Sequence, residues 1–272
     1  MEGRADLHMH TTHSDGAFPT EEIVRRAKEA GLTIISITDH DNVSAVDEAI
    51  EAGKAHHIEV IPGVELSAEV GEQEVHILAY FFDHKNQHLL DYLTFFRTER
   101  MKRAERIVEK LNDLNVPLTL DAVLERAGRG SVGRPHIATA LYEEGLTDSY
   151  HEAFFKYIGN GKPAYEKKYR VSPQAAIELI ASAGGLSFIA HPGNSLDEAV
   201  LLEFINEGVD GIEVVHPSHS PERVMHYSGI VNEYFLLASG GSDFHGGRRN
   251  DHDLLGKYYV SPDNIQEMRR RL

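Results

Sequence analysis

The sequence contains no cysteine. That excludes disulfides, thiolate metal sites and cysteine nucleophiles, and it agrees with a reducing compartment. Long apolar runs are missing as well. No stretch approaches the roughly 20 residues of a membrane span, and the chain is polar and strand-like by Ala5, so the expected setting is cytoplasmic with no membrane partner. Positive charge is scarce: 27 Lys and Arg face 43 Asp and Glu, and the formal net charge of −16 argues against binding long duplex nucleic acid. There is no internal repeat or low-complexity tract. What is present, 272 residues with 41% hydrophobic and 26% charged, suits a soluble globular protein, either one large α/β domain or a domain with an insertion.

The charge is unevenly spread. Residues 97–170 hold 14 Lys and Arg against 11 Asp and Glu, a net of +3, so the remainder carries −19. A mildly basic segment sits inside a strongly acidic chain.

The segment Asp6-Leu7-His8-Met9-His10 reads as extended, which puts His8 and His10 on one face because strand side chains alternate. Pro19-Thr20-Glu21-Glu22 opens a helix with Ile23, Ala27 and Ala30 along one face, stopped by Gly31. Leu32–Thr38 reads as a strand buried on both faces, Val43–Ala55 as a helix, and Ile58–Val64 and Glu74–Phe82 as strands. This alternation predicts a parallel α/β architecture. It breaks at Asn86–Asn115, one long helical pattern, followed by helical pieces at Asp121–Ala127, Pro135–Glu144 and Ser149–Ile158. Residues 97–168 therefore read as an all-helical insertion or cap between the two parts, 1–96 and 169–272, of a discontinuous α/β domain. The alternation then resumes with strands at Leu186–Ala190, Gly211–Val215, Leu236–Ser239 and Lys257–Val260. Helices are expected at Pro173–Ala183, Asp197–Glu207, Pro221–Tyr234 and from Pro262.

Residues of metal-ligand type gather at or just after strand ends: His8, His10, His40, Glu65, His191, Asp243 and His245. In α/β barrels that end forms the mouth where active sites are built. Of the 17 histidines, His56, His57, His84, His88, His151, His226 and His252 fall in helices or polar loops and read as surface or structural. Adding Asp15 and His76 gives nine candidates, six imidazoles and three carboxylates. That is too many for one ion and suits two or three, with Glu65 as the bridge. Mixed nitrogen and oxygen donors without sulfur suit Mn²⁺, Fe²⁺ or Zn²⁺.

Taken together, His8-x-His10 with Ser14-Asp15-Gly16, Thr38-Asp39-His40-Asp41, Pro62-Gly63-Val64-Glu65, His76, Ala190-His191-Pro192 and Gly241-Ser242-Asp243-x-His245 resemble the motif set of the PHP (polymerase and histidinol phosphatase) superfamily. The resemblance implies a distorted (β/α)₇ barrel with a trinuclear metal cluster that hydrolyses phosphoesters. It would place His8, His10, Glu65 and Asp243 on one ion, Glu65, His76 and His191 on a second, and Asp15, His40 and His245 on a third. Gly133-Arg134-Pro135-His136-Ile137-Ala138, Tyr157 through Gly161-Lys162-Pro163-Ala164-Tyr165, and Pro217-Ser218-His219-Ser220 resemble the subgroup of small phosphoesterases within it. That subgroup acts on nucleoside 3′,5′-bisphosphates and, in some members, on short RNA from the 5′ end. His13 and His216 stand where non-ligand residues are expected and receive no role.

The ligand inventory suggests that a hydroxide bridging two metals attacks phosphorus, its formation favoured by the metals' charge. His219 is a candidate for protonating the leaving group or holding a phosphate oxygen. Arg134, a planar fork, and Lys162, a point charge, are candidates for a second phosphate if the helical segment folds over the barrel mouth. Three functions are then open: a nucleotide phosphatase acting on a bisphosphate, a 5′→3′ oligoribonuclease, and a catalytically silent metal-binding module. The first two take a small phosphorylated partner. The sequence specifies no oligomeric state.

Overall fold

The computed structural model describes residues 3–71, 73–128, 130–167, 169, 171–193, 196–247 and 251–272. Seven strands form one sheet in chain order: β1 (Ala5–Asp6), β2 (Ile34–Ile37), β3 (Glu59–Val70), β4 (Gln73–Tyr80), β5 (Leu186–Ile189), β6 (Gly211–Val215) and β7 (Leu237–Gly240). The residues following β1 close the sheet toward β7. Leu7 N–H donates to the Gly240 carbonyl at 3.1 Å, and His10 N–H to that of Phe244 at 3.0 Å. The result is a nearly closed seven-stranded barrel with helices outside, a mixed α/β architecture.

Three expectations need correction. The sheet is not purely parallel, because β4 pairs antiparallel with both β3 and β5. The cause is the short connection between β3 and β4: Val70 pairs with Gln73, so the chain returns along β3 with no room for a crossover helix. Glu65 therefore lies in mid-strand, since β3 runs on to Val70 and only half of it belongs to the barrel wall. The first strand is shorter than its pattern. Beyond Asp6 the chain bonds alternately to β7 and, through Thr38 N–H to the Met9 carbonyl at 2.9 Å, to the end of β2, so no regular ladder continues. Lys257–Val260 forms no strand; Val260 makes a single antiparallel bridge to Ala5.

Outside the barrel stand α1 (Thr20–Glu29), α2 (Val46–His56), α7 (Pro173–Ser182), α8 (Glu198–Asn206), α9 (Pro221–Glu233) and α10 (Pro262–Arg271), with α3–α6 between β4 and α7. The helix α3 (Gln87–Asp113) starts where the Asn86 side chain accepts from Leu89 N–H at 3.1 Å. It runs 27 residues without glycine or proline. Its first half inserts Leu89, Leu93 and Phe96 into the core around β3 and β4. Its second half turns Ala104, Ile107 and Leu111 toward a separate core. That second core is shared with α4 (Leu120–Ala127), α5 (Arg134–Glu143), the short α6 (Tyr150–Ala153) and the π-helical turn Phe154–Ile158. Between α3 and α7 the described residues contain no strand. Among the described residues no helix is long and apolar enough to cross a membrane.

Candidate active site

The mouth of the barrel is lined by imidazoles and carboxylates whose backbones are pinned before their side chains meet. The buried carboxyl of Asp6 accepts from the backbone N–H of His8 at 3.2 Å and of Ser242 at 3.0 Å, tying the first and last ligand-type segments together. Burial pushes that carboxyl up to about 7, against the hydrogen bonds that favour its ionised form. Asp39 does the same for the loop that carries Asp15. It accepts from Thr11 N–H (2.8 Å), Thr11 Oγ1 (2.7 Å) and Ser14 Oγ (2.6 Å). Glycine is required at 241, where a Cβ would lie 2.5 Å from the Cβ of His8. His191 and Asp243 hold left-handed backbones, with φ of 26° and 50°, a strain common at functional positions.

The tautomers are set from outside the cluster. His8 donates Nδ1–H to Glu213 Oε1 at 2.9 Å, His245 donates Nδ1–H to the Asp243 carbonyl at 2.7 Å, and His76 donates Nε2–H to Glu74 Oε1 at 3.0 Å. Each therefore presents its other nitrogen, with a lone pair, to the centre. His8 Nε2 lies 3.1 Å from His10 Nε2, 3.3 Å from Glu65 Oε2 and 3.2 Å from Asp243 Oδ1. His10 Nε2 lies 3.2 Å from that Glu65 oxygen and 3.1 Å from that of Asp243. The other oxygen of Glu65, Oε1, is 2.7 Å from His76 Nδ1 and 2.9 Å from His191 Nε2. Asp15 Oδ1 stands 3.2 Å from His245 Nε2, 3.8 Å from His40 Nε2 and 3.9 Å from His10 Nδ1.

These distances fit metal binding. Donors about 2.0–2.1 Å from a common ion are about 3.3 Å apart in tetrahedral geometry and about 3.0 Å apart as octahedral neighbours; the first four donors span 3.1–3.3 Å. Two facing imidazole nitrogens need a cation between them, and in the ion-free chain a proton takes that place. His8 loses favour for its charge by burial, yet Glu213, Asp243 and Glu65 hold its pKa well above the ordinary value. Burial opposes charge on His10 too, but Asp243 and Glu65 raise it to about 9. Glu65 and Asp243 stay ionised despite burial, held well below the usual carboxylate range by the surrounding imidazoles. Among the described residues the buried nitrogens His40 Nδ1, His245 Nε2 and His216 Nε2 make no well-formed hydrogen bond, although carboxylate oxygens stand near them. Such nitrogens are costly unless an ion occupies the space before them.

All nine ligand candidates from the sequence thus meet in one place. His40 is less exclusive than the family pattern suggests, since its Nδ1 is 3.1 Å from Glu65 Oε2, nearer than its Nε2 is to Asp15. Two participants were missed. Glu213, fully buried on β6, orients His8 and also accepts from His191 N–H at 2.6 Å. It reads in sequence as one polar residue inside an apolar strand, Gly-Ile-Glu-Val-Val, and that was the available signal. His216 stands 3.6 Å from Asp243 Oδ2. His13 faces away, toward Ser44 and Glu48.

The substrate-side candidates fare differently. His219 has both ring nitrogens committed: Nδ1–H donates to the Val214 carbonyl at 2.9 Å and Nε2 accepts from Gly193 N–H at 3.0 Å. Burial lowers its pKa. Its ring braces the Gly193 loop with both nitrogens hydrogen-bonded to backbone groups. Lys162 lies outside the cavity described next, its ammonium 4.6 Å from the centroid of exposed Phe155. Arg134 lines that cavity.

The cavity, about 480 Å³, joins the barrel mouth to the helical segment. Asp15, His40 and His76 line it together with Arg100, Arg103 and Arg134. Arg100 donates from Nε to buried Asp41 at 2.8 Å. Arg134 donates to Asn160 Oδ1 at 2.9 Å and lies 3.5 Å from Glu74 Oε2. Arg103 is only 5% exposed, donates Nε–H to the Glu166 carbonyl at 2.8 Å, and makes no ion pair among the described residues. Burial and the nearby Arg134 charge lower its pKa to about 10. An anion in the cavity would relieve that repulsion. The N-terminus of α5, beginning at Gly133-Arg134-Pro135, opens on the same space and adds its partial positive charge.

A barrel mouth of convergent imidazoles and carboxylates, opposed by arginines, defines a metal-dependent phosphoesterase. The chain belongs to the PHP domain family, whose model matches residues 6–158. It is 33% identical over 250 residues to a 5′-3′ exoribonuclease of Haemophilus influenzae, spanning 90% of this chain and 91% of that one. It is 32% identical over 257 residues to a 3′,5′-nucleoside bisphosphate phosphatase of Chromobacterium violaceum, spanning 91% and 90%. In structure it resembles a candidate metal-dependent phosphoesterase of Bifidobacterium adolescentis, with a TM-score of 0.91 and 32% identity over 98% of this chain and 96% of that one. A C. violaceum amidohydrolase structure with bound sulfate and no metal gives 0.87 and 30% over the same shares.

Proposed function

We propose that this phosphoesterase removes the 3′-phosphate of a nucleoside 3′,5′-bisphosphate. The observation that carries the reading is the mixed lining of the cavity: Asp15, His40 and His76 share it with a buried arginine, Arg103, that makes no ion pair among the described residues. In this reading the helical segment 97–168 is a cap whose basic excess serves the second, unhydrolysed phosphate. Arg134 and Arg103 hold that phosphate and the N-terminus of α5 faces it. A volume of about 480 Å³ falls within the range of small-molecule sites.

Three divalent ions are the count that nine donors support. His8, His10, Glu65 and Asp243 hold one, Glu65, His76 and His191 a second, and Asp15 and His245, with His40 shared toward Glu65, the third. Mn²⁺, Fe²⁺ and Zn²⁺ all suit the donor set. Such ions, when bound, supply Lewis acidity and a water activated at neutral pH. The chain's own contribution is placement. Glu65 directs one oxygen to each of two donor groups, Glu213 fixes the ring of His8 and the backbone of His191, and the arginines orient the substrate against that face.

The exoribonuclease relatives support a second reading, removal of nucleotides from the 5′ end of short RNA by the same donors. Membership in a hydrolase family sets aside a silent metal-binding module. Phosphate and nucleotide release measured with Mn²⁺ on adenosine 3′,5′-bisphosphate, AMP, histidinol phosphate and a 5′-phosphorylated trinucleotide separates the readings. Turnover of the bisphosphate well ahead of AMP and the trinucleotide is expected; preference for the trinucleotide selects the second reading, and preference for histidinol phosphate refutes both.

A further inference from the structure

One wall of the cavity has no part in the phosphate chemistry. Tyr150 and His151, from α6, and Phe154, at the start of the π-helical turn, line it. Their rings pack against one another, Tyr150 edge-to-face with His151 (5.5 Å between centroids, 85° between planes) and tilted against Phe154 (5.4 Å, 55°). Tyr150 and Phe154 are half-buried and His151 is exposed. The π-helical geometry of the turn is itself a departure that recurs at functional sites.

A chain of contacts orders the walls. His76 bonds to Glu74 Oε1 (3.0 Å), and Glu74 Oε2 lies 3.5 Å from Arg134 Nη2. Arg134 Nη1 donates to Asn160 Oδ1 (2.9 Å) and to the Ile158 carbonyl (3.4 Å) at the end of the π-helical turn. The contacts thus run from a metal-type donor, through a guanidinium, to the backbone of the π-helical turn that begins with Phe154. A nucleotide with two phosphates divides into the same three chemistries: a scissile phosphate, a second phosphate, and a planar base.

We propose that Tyr150, His151 and Phe154 form a stacking platform for the substrate's base. The inference rests on the nucleotide reading above. Stacking uses the ring face, which every base has, so the platform accepts all four bases and favours the larger purines modestly. Tyr150 and Phe154 also touch the apolar core of the helical segment, so loss of activity in a variant would not by itself distinguish stacking from folding.

The test compares two substrates. Phe154→Leu and Tyr150→Leu keep apolar volume but remove the aromatic face. Each variant and the unaltered enzyme are assayed with Mn²⁺ on adenosine 3′,5′-bisphosphate and on the abasic ribose 3,5-bisphosphate. In the unaltered enzyme KM for the abasic compound is expected to exceed that for the nucleotide on the order of tenfold. In each variant that ratio falls toward one. A ratio near one in the unaltered enzyme, or a ratio both variants retain, overturns the platform and leaves the substrate reading standing. Failure of the unaltered enzyme to hydrolyse adenosine 3′,5′-bisphosphate overturns the substrate reading and the platform with it.

Discussion

On the barrel side of the cavity the ligand-type residues are braced from behind by other polar groups. Glu213 braces His8 and His191, Asp39 braces the Asp15 loop, and Asp6 ties His8 to Ser242. On the helical side Arg103 makes no ion pair among the described residues, donates to the Glu166 carbonyl, and feels the charges of Arg134, Glu74 and Arg100. The barrel side is preorganised for cations that bind the protein directly. The helical side carries a buried guanidinium, Arg103, with no ion-pair partner among the described residues, and an anion would pair with it. A site that must bind metal tightly needs the first kind of construction, and one that must release product needs the second.

The contrast is sharpest where one group is removed. Replacing His8 or Asp243 by Ala should abolish turnover and reduce bound metal, read together by phosphate release and elemental analysis; an unchanged rate would remove the barrel face from the chemistry. Next in size, Asp41→Ala leaves Arg100 buried without its partner and should destabilise the fold by about 3–5 kcal/mol in chemical denaturation. The joint between the two regions would then be structural, whereas a loss under 1 kcal/mol would mean Arg100 relaxes into solvent.

On the helical side, Arg134→Ala and Arg103→Met should raise KM for a bisphosphate about 10- to 100-fold, the worth of a charge-assisted hydrogen bond, and KM for a monophosphate far less. Equal effects on both substrates would remove the arginines from second-phosphate recognition. Glu213→Gln keeps shape but loses charge beside His8, and metal affinity measured by titration should fall roughly 10-fold or somewhat more. No change would show that the backbone alone orients the ring. The smallest effect concerns His219. Its native pKa lies below the ordinary 6.5 because it is buried, so below that pH the unfolded chain takes up a proton the native one resists. Stability therefore falls as pH drops below about 6.5. His219→Gln should flatten that limb in melting scans between pH 7 and 5 without changing the pH 8 value by more than about 1 kcal/mol.

Much of the barrel side was legible because its ligand-type residues sit in short local motifs at chain turns. Asp15, His40, His191, Asp243 and His245 announce themselves as polar residues bordering apolar strands. The antiparallel course of β4 was not legible, since Gln73–Tyr80 has the same composition as a parallel strand and only the length of the preceding turn betrays its direction. Arg100 and Arg103 were invisible for a related reason: within α3, a helix with many charged residues, nothing local separates a solvent-facing arginine from one turned into a cavity. Lys162 and His219 show where a local motif stops short of placement. Both stand in suggestive motifs, yet one lies over Phe155 and the other is spent on two backbone groups.

By itself the sequence determined the kind of chemistry, because donor type and strand-end placement are properties of the chain and its periodicity. It also determined that a basic helical segment interrupts an acidic α/β chain. Only the tertiary structure decided which oxygen of Glu65 faces which imidazoles, that Glu213 stands behind His8, and that Arg103 rather than Lys162 reaches the cavity. Those outcomes depend on distances of about 3 Å between residues as many as 205 positions apart, and no local pattern encodes separations that packing sets.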